Sequence, residues 1–463
     1  MTMASPLQDV RTDFDWQPQP AAAAVVNRLL DRCIQANPHI ATLGSRMHQE
    51  TGTRLVDWID SLSLAGVPNL GAELISAGFE VDPTSRRQSG YRHPAGIFPT
   101  IYLAPHGEIS SLFVKVDSVD DFREAWEPAL GEIKNSGEPG SQLREAWVVA
   151  HHEMQIHAVE RHGWRSLDPP HNRAQQIAAA AKHRQSFGQR RRDCGSDVAG
   201  FMLAEQLFDA AAADLGRDWA CDLFFAAERD YWMSRNSAAR VQYGRQRLLG
   251  FGWGNHDHHT YRSSRESFAT LIALLERMGF ECRERFYAGR EAGWGAQVLE
   301  QPHAGVVIFA DVDLTPEEVA GDFAHQPLPP QTKLGTVGLW CKLHGEAFLE
   351  AGMHHLECQF DFDAVRPQLR AAGVETMTPF TDWAHLKQAF TKGEVWPVRT
   401  GRVQDALAGG FITPAQADQF RRDGALGSHL EILERNDGFK GFNQTGISEI
   451  ITRTDPRRQA VGA

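Results

Sequence analysis

Cysteine is scarce: Cys33, Cys194, Cys221, Cys282, Cys341 and Cys358 are the only six in 463 residues, and no two form a CxxC pair. That excludes a zinc ribbon or a disulfide framework and suits a reducing compartment. Basic residues are outnumbered, Lys+Arg 47 against Asp+Glu 59, for a net charge of −12. A general nucleic-acid binder needs a basic face to neutralise phosphates, so this balance argues against one while allowing a local basic pocket for an acidic metabolite. No run of about 20 apolar residues is present to span a bilayer. Residues 1–24 lack a basic start followed by an apolar core, so no secretory signal is visible. No GxGxxG or P-loop spacing occurs. The stretch Ala150 to His157 fails as a zincin motif, because His152 and His157 stand five apart where HExxH requires four. These absences predict a cytoplasmic protein without membrane or nucleic-acid partners.

What remains is an ordinary globular composition, 42% hydrophobic and 23% charged, in a chain long enough for two or three domains. Residues 1–24 are polar and Pro/Ala-rich and read as a flexible leader. Residues 25–117 read as an α+β segment, a degenerate β-α-β-β-β module in outline. From 118 to 250 the apolar spacing is mostly i, i+3, i+4, including Leu143–His162, and predicts a helical domain. Within it Arg184, Arg190, Arg191 and Arg192 form a basic run that reads as a solvated helix face. The Trp/Phe-rich stretch Trp219–Trp232 reads as core or a domain interface, which leaves a homo-oligomer open.

The pattern changes after Gly252. Residues 251–345 give a strand, a helix opened by a Ser263–Glu266 capping box and closed at Gly279, then three strand-like runs. Residues 346–455 repeat that order with a helical insertion at 381–424, and 456–463 form a tail. The predicted fold class is therefore α+β: paired β-α-β-β-β modules closing into a cupped sheet, behind a large helical N-terminal region.

Twenty histidines are present, and the densest group lies in Gly254–Arg262. Alternation on a strand puts His256, His258, Thr260 and Arg262 on one face and Asp257, His259 and Tyr261 on the other. The equivalent strand of the second module carries His354-His355-Leu356-Glu357, and a late strand carries His429, Glu431 and Leu433 on one face. One histidine from each module and one late glutamate make a facial triad, which leaves three adjacent positions open on Fe(II) for a chelating 2-oxo acid and O2.

Three motifs carry a resemblance. Asp257-His258-His259-Thr260-Tyr261-Arg262 is similar to an Asp-His-x-x-Phe-Arg strand, and Met353-His354-His355-Leu356 falls where that family has Asn-His-Val. His429 to Arg435 is similar to Tyr-Ile-Glu-Phe-x-Glu-Arg, followed by Phe439 to Asn443 like a Phe-x-x-x-Asn tail. The stretch from about 252 to 455 thus resembles the 2-oxoadipate dioxygenase/decarboxylase (hydroxyglutarate synthase) family of the vicinal-oxygen-chelate superfamily. The resemblance implies iron on His258, His355 and Glu431, a substrate carboxylate on Arg262, and Asn443 in substrate binding. It implies an Fe(II)-dependent oxidative decarboxylation of a small 2-oxo acid by O2, 2-oxoadipate giving 2-hydroxyglutarate and CO2 within lysine breakdown. Other metal enzymes of the superfamily, ring-cleaving dioxygenases or isomerases and lyases, and a non-catalytic binding protein are the alternatives.

Overall fold

The structure is a computed structural model; it describes residues 15–83, 89–149, 153–168, 170–443 and 455–458. Two mixed sheets of the same connectivity organise the chain. The first holds β1 (Ile59–Leu64), β2 (Glu80–Asp82), β3 (Ser89–Arg92), β4 (Thr100–Leu103), β5 (Ser110–Lys115), β6 (Ile133–Ser136), β7 (Leu143–Val148) and β8 (Met154–Arg161). Their spatial order is β2-β3-β4-β1-β5-β8-β7-β6. The second holds β9 (His256–Arg262), β10 (Glu281–Tyr287), β11 (Trp294–Gln301), β12 (Val306–Asp313), β13 (His355–Gln359), β14 (Thr381–Trp383), β15 (Leu386–Phe390), β16 (Glu394–Trp396) and β17 (Ala425–Arg435). Its order is β10-β11-β12-β9-β13-β17-β15-β14, with β16 on β17.

Each sheet is two β-α-β-β-β units joined through their first strands, β1 on β5 and β9 on β13, while the last strand of each unit pairs parallel with its own first strand. The fold class is thus α+β with paired modules, as expected, but the pairing occurs twice. In the first sheet the unit helices are Leu70–Ser76 and Val119–Leu130; in the second they are Phe268–Arg277 and Phe362–Ala371. The helix Phe268–Arg277 shows why these segments are helical. Its buried residues Phe268, Leu271, Ile272, Leu274 and Leu275 fall on one stripe, and Gly279, at φ +92, lets the chain turn back into β10.

Several expectations are corrected. Leu143–His162 is not helical but forms β7 and β8. The buried positions of β8 begin with Met154, Ile156 and Ala158, a period of two that an Ala/Val-rich stretch can also fit to helical spacing. The 25–117 segment is therefore not a lone degenerate module, and the helical stretch is only Ala174–Leu248 rather than 118–250. The 1–24 leader ends early, since a helix starts at Pro20; residues 1–14, His151 and His152 lie outside the described residues. The insertion at 381–424 begins with three strands, and only Thr400–Ala408 and Pro414–Asp423 are helical. The Ser263–Glu266 box does not form: Ser267 precedes the helix, and the Ser263 hydroxyl donates to Glu346. Arg190 and Arg192 are not solvated but clamp Glu228 at 2.9 and 2.6 Å.

One hydrophobic core lies behind the first sheet, around Trp58, Phe122 and Trp126. A second surrounds the other sheet and takes in the aromatic helix Arg217–Ser234, with Trp219, Phe224, Phe225 and Trp232 buried. No helix among the described residues is long and apolar enough to cross a membrane.

Candidate metal centre

The register of three adjacent strands builds the site. β9 and β13 are antiparallel with His258 opposite Glu357, and β13 and β17 are parallel with Glu357 opposite Glu431. Residues directly opposite one another sit about 4.5–5.5 Å apart at Cβ. One row across the sheet therefore carries an imidazole and two carboxylates on the same face. Donor atoms of His258, Glu357 and Glu431 all lie within 4.8 Å of one another. His355 enters the same group: its Nε2 is 2.5 Å from Glu357 Oε1 and 3.6 Å from Glu431 Oε2. All four are buried.

The proton inventory of these atoms calls for a cation. His258 Nδ1 lies 2.8 Å from Asp257 Oδ1, so Nδ1–H faces that carboxylate and the Nε2 lone pair faces Glu357 Oε1, 3.1 Å away. His355 Nδ1 is hydrogen-bonded to His354 Nδ1 at 2.6 Å, again turning Nε2 toward the carboxylates. Glu357 Oε2 is buried without a hydrogen-bond partner. Burial and the Glu357 charge beside it hold the Glu431 carboxyl well above its usual range. Burial alone would lower His258, but Glu357 and Asp257 together raise it to about 9. Protons thus fill the role a metal ion would take between lone pairs that otherwise repel. Two imidazole nitrogens and two carboxylates are a donor set that suits Fe, Mn, Zn or Co in the divalent state.

The surroundings fix these donors. Asp257 is itself held by the Arg435 guanidinium at 3.0 and 3.1 Å, and Gln388 donates to Glu431 Oε1 at 2.7 Å. Thr260 Oγ1 donates to Glu357 Oε1 at 3.0 Å. Such contacts set ligand orientation and tautomer. The His429 ring turns away to hydrogen-bond the Thr391 carbonyl at 3.0 Å.

The donors line one end of a cavity closed by Phe309, Phe380, Phe390 and Phe442. It offers water about 60 Å³, roughly four to six water positions at ~10–15 Å³ each, so it takes a small molecule. Arg262 and Asn443 line it too. Arg262 is buried; its Nε is 3.8 Å from Asp311 Oδ2, and its Nε and Nη1 have no hydrogen-bond partner. Asn443 donates to Thr381 Oγ1 at 2.7 Å.

The structure therefore brings together His258, His355, Glu431, Arg262 and Asn443 around one cavity. It adds Glu357, which lies outside the triad expected from the sequence. The signal was available: Glu357 is two residues from His355, hence on the same face of β13. His256 departs from expectation. The register shifts where His256 pairs with Cys358, and its ring packs 5.2 Å from His259 on the opposite face.

No protein-family model and no curated protein matches the chain. Solved structures of similar fold include methylmalonyl-CoA epimerase from Mycobacterium tuberculosis, 14% identical over 40% of this chain and 89% of that one, with a TM-score of 0.23. A variant of 4-hydroxymandelate synthase from Streptomyces coelicolor is 14% identical over 86% of this chain and 98% of its own, TM-score 0.27. The Mn(II)-bound glyoxalase from Novosphingobium aromaticivorans is 10% identical over 82% of both chains, TM-score 0.19.

Proposed function

We propose that this chain is a metal-dependent enzyme of the vicinal-oxygen-chelate type, using Fe(II) and O2 to decarboxylate a small 2-oxo dicarboxylic acid oxidatively. The observation that carries this is the convergence of His258, His355 and Glu431 at one end of a small buried cavity that also presents Arg262. For 2-oxoadipate the balance is one substrate and one O2 giving one 2-hydroxyglutarate and one CO2. Bound Fe(II) would supply Lewis acidity toward the 2-oxo acid and the electrons that activate O2.

The chain's own residues supply position. The buried Arg262 guanidinium, whose Nε and Nη1 have no hydrogen-bond partner, suits the distal carboxylate of such an acid, to which it would donate charge-assisted hydrogen bonds. Asn443 and Gln388 line the same space and orient its polar atoms. The four phenylalanines exclude water, which strengthens each charge contact and protects the reacting centre.

A second reading rests on Glu357. As a fourth protein ligand it would leave two open positions on an octahedral ion rather than three, which favours a non-oxidative isomerase or lyase. Oxygen uptake and CO2 release on a panel of 2-oxo acids, after anaerobic loading with Fe(II), test the first reading. One O2 consumed per CO2 released supports it. Turnover without oxygen uptake, on a panel that includes the Mn(II)-loaded protein, supports the second. A catechol consumed in preference to every 2-oxo acid overturns the substrate assignment.

A further inference from the structure

A second cavity, larger than the metal cavity at about 360 Å³, lies between the first sheet, the helix Arg217–Ser234 and the turn that leads into β9. Its lining is rich in charge. Most of its carboxylates are closed on partners: Asp60 on Arg161 at 2.8 Å, Asp222 on His162 at 2.8 Å, Asp230 on Arg184 at 2.9 Å. Asp117 accepts the Trp253 backbone N–H at 2.7 Å. A side chain at Gly252, which sits at φ +60, would collide with that carboxylate, so only glycine permits the approach.

Three cations on the same lining are left over. Lys115, Arg229 and Arg165 have no carboxylate within 4.0 Å among the described residues. Arg229 is only 8% exposed, and its sole side-chain neighbour at hydrogen-bond range is His259 Nε2, at 3.4 Å. Burial and then Arg229 hold the Lys115 ammonium below its usual range. Asp60, Asp222 and Asp117 offset the Lys115 charge only from beyond ion-pair distance, and Asp117 is likewise the counter-charge of Arg229; a ligand of charge −2 seated between the two cations would pair both directly. Trp164, Tyr243 and Trp253 add aromatic surface beside them.

We propose that this cavity is a second ligand site, which binds a phosphate group, free or esterified to a small molecule, through Lys115 and Arg229 with Arg165 as a third contact. The guanidinium fork takes two phosphate oxygens and the ammonium serves as a point charge. The site is separate from the metal donors and stands whatever reaction they carry out.

Isothermal titration of the full chain with inorganic phosphate, phenyl phosphate and acetate, at constant ionic strength, tests it. The expected result is saturable binding of phosphate or its ester. Tighter binding of phenyl phosphate identifies an esterified ligand, and equal affinity identifies free phosphate. Lys115→Met and Arg229→Gln should each weaken binding at least tenfold, or about 1.4 kcal/mol, with metal content unchanged. Because Arg229 is buried, the exposed Arg165→Ala provides a variant that keeps the fold; it should weaken binding about threefold. Absence of saturable phosphate binding by the wild type overturns the proposal. So does undiminished binding in the folded variants, or acetate binding as tightly as phosphate.

Discussion

His258 and Glu357 face each other directly across the antiparallel strands β9 and β13, with Nε2 of one 3.1 Å from Oε1 of the other. A lone pair on each side of that gap leaves room only for a proton or a metal ion. Metal binding must displace protons from this row, and metal affinity should therefore fall as pH falls.

Ligand removal is the first expectation. His258→Ala, His355→Ala and Glu431→Gln should each lower the metal content of protein purified anaerobically by tenfold or more. Unchanged content by elemental analysis in all three would refute the assignment. Glu357→Gln separates the two readings of function: retained metal means a three-ligand centre, and lost metal a four-ligand one.

Asp257→Asn should weaken metal affinity by roughly 10–100-fold, the usual range for partners that orient a ligand, measured by competition with a chelator. It also leaves the Arg435 guanidinium, now at 3.0 Å from Asp257, facing a neutral amide in a buried place. A melting temperature several degrees lower should accompany the loss.

Arg262→Lys keeps the charge but removes the fork, and Arg262→Met removes both. Steady-state kinetics on a 2-oxo dicarboxylic acid should show KM raised by tenfold or more, with a smaller effect on a 2-oxo monocarboxylic acid. Equal effects on both substrates would remove Arg262 from the distal carboxylate.

His162 sits between Asp222 and Glu160, at 2.8 and 3.3 Å. Burial alone would lower it, but the two carboxylates raise it from 6.5 to about 9. A folded-state value above the unfolded one means stability fully present below pH 6.5 and lost as pH rises through about 9. The rise is worth roughly 3 kcal/mol. Denaturant melts between pH 6 and 10 should show this decline in the wild type, and His162→Gln should flatten it.

The second sheet was legible in β9 to β13 and β17, whose neighbouring glycines and apolar-striped unit helices mark them, but not in β14 to β16, short strands within the stretch expected to be a helical insertion. The candidate donors His258, His355 and Glu431 were legible because each lies in a histidine-bearing strand of clear alternation. The second half of the first sheet, β6 to β8, was missed because Met154–Arg161 fits both a period of two and helical spacing, and because its strands carry no histidine row like that of β9. A facial triad needs only one carboxylate, so the triad pattern alone gives no reason to add Glu357 to Glu431. His256 was misplaced because a register shift depends on which partner residue it faces, which only the paired strand determines.

The four candidate donors span positions 258 to 431: His258, His355 and Glu357 meet through the pairing of β9 and β13, and Glu431 joins them only when β17 pairs with β13. A ribosome must therefore finish almost the whole polypeptide before the fourth donor can join the row, so any ion held there gains its full donor set only late in maturation. A truncation just short of β17 would keep three of the four donors but lose Glu431, and should hold a divalent ion more weakly than the full chain.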